Sequence, residues 1–376
     1  MARLDEICAI NMGQSPDSST YNEDSNGLPF FQGNADFGEI YPAVRMWCSE
    51  PTKIAQEKDV LISVRAPIGA LNIANCECCI GRGLAALTVN EDICAQEYLW
   101  HVLSSKVDEL NSKGTGSTFK AINKKTLSEI EIPLPPLDEQ RKIAAVLDKV
   151  SDLIAKRRQQ LDKLDELVKS RFIELFGDPL VDDGRYPKRA LGALAEVGSS
   201  KRIFEKEYVA EGVPFYRTKE IVELSKGNRI TTELFITRER YDEIRDEYGM
   251  PQKGDLLISA VGTIGVIWIV DGQNDFYFKD GNLLRVAATE RFAPTYLKHL
   301  LESLIGAYKQ EMSSGTAYAA LTISALKEMQ VYEVPLAEQE QFAAFVAQTD
   351  KSKLAVQQGL QELEILKKSL MQEYFE

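Results

Sequence analysis

The 376-residue sequence predicts an α+β protein built as two mixed α/β domains in tandem repeat, separated by two long antiparallel coiled-coil helices with pseudo-two-fold symmetry. Three observations predict it: a collinear internal repeat, short β-rich runs early in each copy, and a heptad pattern that closes each copy.

The repeat comes first, because each match alone is weak and their order is what persuades. Gly27-Leu-Pro-Phe-Phe31 returns as Gly212-Val-Pro-Phe-Tyr216. Asp59-Val-Leu-Ile-Ser63, ending Ile68-Gly69, returns as Asp255-Leu-Leu-Ile-Ser259, ending Ile264-Gly265. Tyr98-Leu-Trp-His101 returns as Tyr296-Leu-Lys-His299, and Pro136-Leu-Asp-Glu-Gln140 as Pro335-Leu-Ala-Glu-Gln339. The offset drifts only from 185 (Gly27 to Gly212) to 199 (Leu161 to Leu360) residues. A tandem duplication explains that, and it divides the chain into a first mixed domain (1–135), a first helix (136–178), a linker (179–187), a second mixed domain (188–333) and a second helix (334–376).

In each mixed domain, apolar runs punctuated by Gly and Pro predict strands. They are Val60–Val64, Ala70–Ala74 and Leu84–Val89, then Leu256–Ser259, Val266–Val270 and Leu283–Val286. One helical stretch follows in each copy, near Ala95–Asn111 and Pro294–Met312. The long helix of the first copy, from about Arg141 to Phe176, carries Ile143, Leu147, Val150, Ile154, Leu161, Leu164, Val168 and Leu175 in alternating steps of four and three, with Arg157 and Arg171 filling the register. The same register in the second copy gives Phe342, Val346, Val356, Leu360, Leu363 and Leu370, with Thr349, Lys353, Lys367 and Tyr374 between them. A 3.5-residue seam over five heptads with polar flanks predicts that the two helices pair. Pro133, Pro135 and Pro136 set the first start, and Gly177-Asp-Pro179 the stop.

Composition narrows the function. Lys+Arg 44 against Asp+Glu 57 leaves a net charge of −13, which excludes an all-over basic surface but not local basic patches. No run approaches the ~18 apolar residues of a membrane span, and the start MARLDEICAINMG lacks the basic end and apolar core of a secretion signal, so a cytoplasmic location is expected. The six cysteines (8, 48, 76, 78, 79 and 94) include a CxxC at Cys76 and Cys79 without a second pair, so buried apolar roles are expected rather than a metal site. His101 and His299 occupy equivalent repeat positions and are expected to be structural. Gly114-Thr-Gly-Ser-Thr-Phe-Lys120 lacks phosphate-loop spacing, and nothing in the chain matches a dinucleotide fingerprint, a base-flipping methyltransferase tetrapeptide or a nuclease carboxylate–lysine set. The sequence supplies no reason to assign catalytic residues.

Pro133-Leu-Pro-Pro-Leu-Asp-Glu-Gln-Arg-Lys-Ile-Ala-Ala-Val-Leu147, continued through Lys169-Ser170-Arg171 to Leu175-Phe176-Gly177-Asp178-Pro179, resembles the central conserved region of the specificity (S) subunits of type I restriction–modification enzymes. Gly13-Gln-Ser-Pro16, Phe30-Phe-Gln-Gly33, Val64-Arg-Ala-Pro-Ile-Gly69 and Ile80-Gly-Arg-Gly-Leu84 resemble one class of their target recognition domains. The resemblance implies two target recognition domains, each reading one half of a bipartite double-stranded DNA site. It implies helices that space them and dock two modification (methyltransferase) subunits, joined by restriction (motor-nuclease) subunits. It implies a chain that is not an enzyme by itself and binds no cofactor, with S-adenosylmethionine and ATP/Mg on the partners. A methylation system without the restriction motor, and a coiled-coil scaffold without a DNA role, are the alternatives.

Base edges and phosphates favour Arg, Lys, amides, small hydroxyls and backbone N–H groups. In loop-like stretches beside strands, the candidate DNA-binding residues are Gln14, Ser15, Asn34, Arg65, Arg82, Thr118 and Lys120 in the first copy. In the second they are Ser200, Lys201, Arg217, Lys219, Thr263, Lys279 and Thr316.

Overall fold

A computed structural model describes residues 1–115, 120–313 and 320–375. The chain divides into two compact units, one of residues 1–159 with 357–376 and the other of residues 160–356. Each long helix therefore starts in the unit of its own copy and ends in the other. Among the described residues no helix is long and apolar enough to cross a membrane.

The first unit is built on a four-stranded antiparallel sheet in the order Cys8–Met12, Leu84–Val89, Val60–Ser63, Leu71–Ile73. Val60–Ser63 reads as an unbroken apolar run because both its faces are covered. Val60 and Ile62 pack with Tyr98, Leu99 and Val102 of helix Gln96–Ser105, while Leu61 points the other way onto Phe31, Ile80 and Ala86. The second layer is a five-stranded sheet in the order Tyr21–Asn22, Trp47–Cys48, Leu28–Phe31, Cys78–Ile80, Ile54–Ala55, in which Leu28–Phe31 runs parallel to Cys78–Ile80. Five of the six cysteines are buried within this unit and Cys76 is half-buried.

The second unit repeats the plan. Its four-stranded sheet runs Val197–Gly198, Leu283–Val286, Leu256–Ser259, Ile267–Ile269, and a three-stranded sheet again contains a parallel pair, Val213–Tyr216 with Tyr277–Phe278. The copies differ in their insertions. Helices Thr218–Ser225 and Arg238–Tyr248 stand in the second copy, between the strands where the first has Trp47–Cys48 and Ile54–Ala55.

Several boundaries correct the sequence reading. The stretch expected over 95–111 is two helices, Gln96–Ser105 and Val107–Ser112, separated at Lys106. The strands expected at Val60–Val64, Ala70–Ala74 and Val266–Val270 shorten to Val60–Ser63, Leu71–Ile73 and Ile267–Ile269. The end residues leave the ladder at turns, as where Gly69 and Gly265 adopt φ of +91° and +86°. The first long helix begins at Leu137, four residues before the expected Arg141, because the Pro136 carbonyl accepts from the N–H groups of Glu139 and Gln140. Helix Leu336–Phe375 has the same 40 residues although it follows a single proline. Pro335 O repeats the contact, accepting from Glu338 and Gln339.

In both helices the register positions are buried or half-buried except Arg157, which is exposed. In the first unit Ile143, Leu147, Val150 and Ile154 are buried, and Ile143 and Leu147 share a core with Leu370, Met371, Tyr374 and Phe375. Arg158 pairs with Glu364 at 2.7 Å. In the second unit Val168, Phe342, Val346 and Thr349 are buried, and Lys353 meets Asp165 at 2.6 Å. Rising numbers on one helix meet falling numbers on the other, so the pair is antiparallel within each unit. Leu161, Leu164, Leu175, Val356, Leu360, Leu363 and Leu370 are half-buried.

Both histidines lie on the helix that follows the four-stranded sheet. Buried His101 places Nε2 2.7 Å from Asp148 Oδ1 on the long helix, whereas His299 Nδ1 lies 3.2 Å from Glu302 and its ring sits edge-on to Phe342. Burial pushes the His101 pKa below its usual value, outweighing the pull of Asp148 in the other direction. The folded state therefore favours the neutral ring, while the unfolded chain takes up a proton near pH 6.5. Stability from this site is complete above about pH 6.5 and is lost as pH falls through the lowered folded pKa. His101→Gln is expected to flatten the fall in urea midpoint below about pH 6.5, and an unchanged slope would exclude this role.

Candidate nucleic-acid interface

The platform of the first unit forms where five strands end on the same side. Gly13 N–H donates to Leu84 O (2.9 Å) and Gln14 N–H to Ile80 O (3.0 Å), laying residues 13–15 along the turn 80–84. On the other side of that turn, Gly81 N–H reaches Phe31 O (2.8 Å) and Gly83 N–H reaches Gln32 O (3.2 Å). The ladder then continues outward: Val64 N–H to Gly83 O, Ile122 N–H to Val64 O, and Ala66 N–H to Lys120 O. Ser15 Oγ accepts from Arg82 N–H at 3.3 Å.

This chain of backbone bonds brings together Gln14, Ser15, Asn34, Arg65, Arg82 and Lys120, six of the seven residues proposed in the first copy. Thr118 lies outside the described residues. Gln14, Arg65, Arg82 and Lys120 are exposed, and Ser15 and Asn34 are half-buried. Glycine makes the approach possible. A Cβ on Gly13 would sit 2.2 Å from Gly81 O, and one on Gly83 would sit 2.5 Å from Gln32 O.

The second unit builds the same platform from different chemistry. Ser199 Oγ donates to Leu283 O (2.7 Å) and Ser200 Oγ to Phe278 O (2.6 Å), taking over the contacts that Gly13 and Gln14 make through their backbones. Lys279 N–H donates to Tyr216 O, Ala260 N–H to Asn282 O and Leu321 N–H to Ala260 O. These bonds place Ser200, Lys201, Arg217 and Lys279 at one platform. Thr263 lies in the turn after Ala260, Lys219 is exposed in the first turn of helix Thr218–Ser225, and Thr316 lies outside the described residues.

Here more side chains are engaged with the protein itself. Lys201 Nζ lies 4.7 Å from the Tyr248 ring centre and 3.1 Å from its hydroxyl, which holds the ammonium pKa above its usual value. Arg202 pairs with Asp280 at 2.9 Å. Arg217 binds Glu220 through Nη2 (2.9 Å) and Nε (3.3 Å), and its backbone N–H reaches the same carboxylate at 2.8 Å. Burial would raise the Glu220 pKa, but these Arg217 contacts hold it below the usual value. Lys219, Thr263 and Lys279 have no side-chain ion pair or hydrogen bond among the described residues.

The sequence reading missed Gln32. It is exposed, its backbone lies against Gly81 and Gly83, and its side chain has no partner among the described residues. The signal available was its repeat-equivalent, Arg217, which was itself a candidate. Among the described residues no group of three or more His, Cys, Asp or Glu could hold a metal ion.

Two copies of one loop platform, each on a small mixed sheet and each followed by a long paired helix, define a duplicated recognition scaffold. The family profile described as "Type I restriction modification DNA specificity domain" matches residues 1–166 and again 185–365, and the chain belongs to that family. Over 160 residues it is 44% identical to the protein assigned as the MjaX type I restriction enzyme specificity subunit of Methanocaldococcus jannaschii, covering 43% of this chain and 38% of that one. Over 251 residues it is 28% identical to a Haemophilus influenzae protein assigned as a type I restriction enzyme specificity subunit, covering 65% and 62%. The chain therefore matches between about two fifths and three fifths of the length of these relatives. The fold is similar to the crystal structure of the type I restriction–modification S subunit from M. genitalium, with a TM-score of 0.57 at 15% identity, covering 100% of this chain and 95% of that one.

Proposed function

We propose that the chain is the DNA-recognition subunit of a type I restriction–modification enzyme, and that each platform reads one half of a bipartite double-stranded DNA site. The duplicated platform is the observation that carries this reading. Two equivalent sets of loops, with different polar side chains at matching positions, suit a site made of two unlike half-sequences. Domain boundaries at 1–135, 136–178, 179–187, 188–333 and 334–376 follow from the repeat. The helices space the two readers and dock two modification (methyltransferase) subunits, and restriction subunits join the assembly. In this reading the chain is not an enzyme by itself and acts in the cytoplasm. S-adenosylmethionine and ATP with Mg belong to its partners.

The net charge of −13 does not oppose this reading, because phosphate contact depends on local cations. Arg65, Arg82 and Lys120 in the first unit, and Lys279 in the second, are basic residues at the platforms without an ion pair among the described residues.

A domain exchange tests the proposal. Residues 188–333 are replaced by the matching segment of a relative, and the chain is assembled with its modification subunits. Methylation of a plasmid library is expected to keep one half of the recognised sequence and change the other. A change in both halves, or in neither, would refute independent reading by the two domains.

A further inference from the structure

We infer that Gln32 and Arg82 are the base-reading pair of the first domain, and that Arg217, which holds the place of Gln32 in the second domain, is a structural clamp and not a reader. The inference rests on the DNA-reading role proposed above and assigns that role to particular side chains.

Position is the first argument. The turn Gly81-Arg82-Gly83 lies against Gln32 so closely that a Cβ on Gly81 would be 3.0 Å from Gln32 Cα and one on Gly83 2.5 Å from Gln32 O. Gly81 N–H and Gly83 N–H tie the turn to Phe31 O and Gln32 O, and Ser15 Oγ holds Arg82 N–H from the opposite side. Gly81 and Gly83 are buried while Arg82 between them is exposed. Two long polar side chains thus leave one welded piece of backbone. A reader mounted on fixed backbone loses less freedom on binding than one on a loose loop.

The second argument is what each side chain has left to offer. Asp36 accepts from the backbone N–H groups of Gln32 (2.7 Å) and Gly33 (3.3 Å), and Arg45 supplies the cation for that carboxylate. The Gln32 amide is not consumed in the process. In the second domain Glu220 has the role of Asp36, but the cation is Arg217 itself. Glu220 is only 2% exposed, so releasing Arg217 to DNA would strand a buried carboxylate. Gln32 and Arg82 have no side-chain partner among the described residues.

The third argument is chemical. A glutamine amide offers one donor and one acceptor in the spacing of adenine N6 and N7, and a guanidinium offers two donors in the spacing of guanine O6 and N7. The half-site read by the first domain should therefore include one adenine and one guanine specified by this pair.

The test is selection of randomised duplex DNA by the full chain assembled with its modification subunits, read by sequencing. The wild type is expected to select two blocks of sequence. Gln32→Ala should relax one position of one block, and Arg82→Lys another position of the same block, each by about 5- to 150-fold in preference. The remaining positions and the affinity for unselected DNA should stay as they were. Arg217→Lys, which keeps a cation beside Glu220, should leave the base preferences of the second block unchanged. If the wild type selects no sequence, the DNA-reading role itself fails. If it selects two blocks and Gln32→Ala or Arg82→Lys leaves them intact, the assignment fails. It fails equally if either change weakens all sequences alike, the mark of a contact to the DNA backbone. A shift in base preference from Arg217→Lys would overturn the clamp.

Discussion

Replacing Gln140 by leucine is expected to destabilise the first unit by roughly 2–5 kcal/mol, although the change adds apolar surface to a buried site. Gln140 is 1% exposed at the fourth position of its helix. Its Oε1 accepts from Ala95 N–H at 2.9 Å, and its Nε2 donates to Ile93 O (3.0 Å) and Pro135 O (2.8 Å). One amide thus ties the start of the long helix to the chain entering helix Gln96–Ser105. Leucine has similar bulk but leaves the Ala95 N–H and two carbonyls without partners, and each such loss costs about 1–3 kcal/mol where water cannot replace it. Exposure of Ile93 lets water recover part of the loss, hence the lower bound. Gln140→Glu keeps the acceptor for Ala95 but turns a buried carboxylate oxygen onto the Ile93 and Pro135 carbonyls, so at neutral pH it should cost at least as much as leucine. Gln339 repeats the arrangement, with Ala293 N–H at 2.8 Å, Arg291 O at 3.0 Å and Val334 O at 2.8 Å. Gln339→Leu should therefore cost the second unit a similar amount. Urea unfolding gives the loss, and hydrogen exchange at the Ala95 amide locates it. A loss under about 1 kcal/mol with Ala95 still protected would mean that the clamp is dispensable.

That clamp marks the limit of what the sequence discloses. The repeat aligns Gln140 with Gln339, and the glutamine persists although Pro133, Pro135 and Arg141 have no counterpart at its second occurrence. Two of its three partners lie 45 and 47 residues away, and neither periodicity nor composition encodes such a contact. The heptad register, by contrast, is local. Steps of four and three pick out the less exposed positions of both helices except Arg157, because one stripe alone can face the partner. The platforms fall between these cases. Gly/Ser-rich loops beside strands mark their edges, so most chosen residues do border them. Which side chains remain unspent is decided by Arg45, Glu220, Tyr248 and Asp280, through pairings that appear only in the folded geometry. Arg217 and Lys201 have the right charge in loop-like stretches yet are spent within the protein, while nothing local sets apart Gln32, whose amide is left over.

Phe172 is where the register itself misleads, and its truncation is the other large effect expected. From Val168 a step of three leads to Arg171 and a step of four to Phe172. The heptad takes Arg171, whose guanidinium lies over the Phe345 ring at 5.9 Å and pairs with Glu174 at 2.8 Å. Phe172 is the buried one, at 3% exposure. Its ring meets Phe176 at 5.0 Å, Phe342 at 5.3 Å and, nearly parallel, Tyr296 at 5.6 Å. Near its end the long helix stops facing only its partner helix. It also faces helix Pro294–Ser313 of the second mixed domain, so the apolar stripe widens past the two-position seam. Phe172→Ala should cost about 3–5 kcal/mol, the usual range for removing a buried aromatic ring, and the cavity would lie among rings that cannot easily collapse into it. Phe172→Leu should recover more than half of that loss. Leu161→Ala, half-buried on the seam, should cost about 1–2 kcal/mol less than Phe172→Ala, since a side chain that keeps contact with water gives up less on truncation. Equal losses at Leu161 and Phe172 in matched denaturant melts would mean that the helix seam, and not the aromatic cluster, is what secures the second domain to its helix.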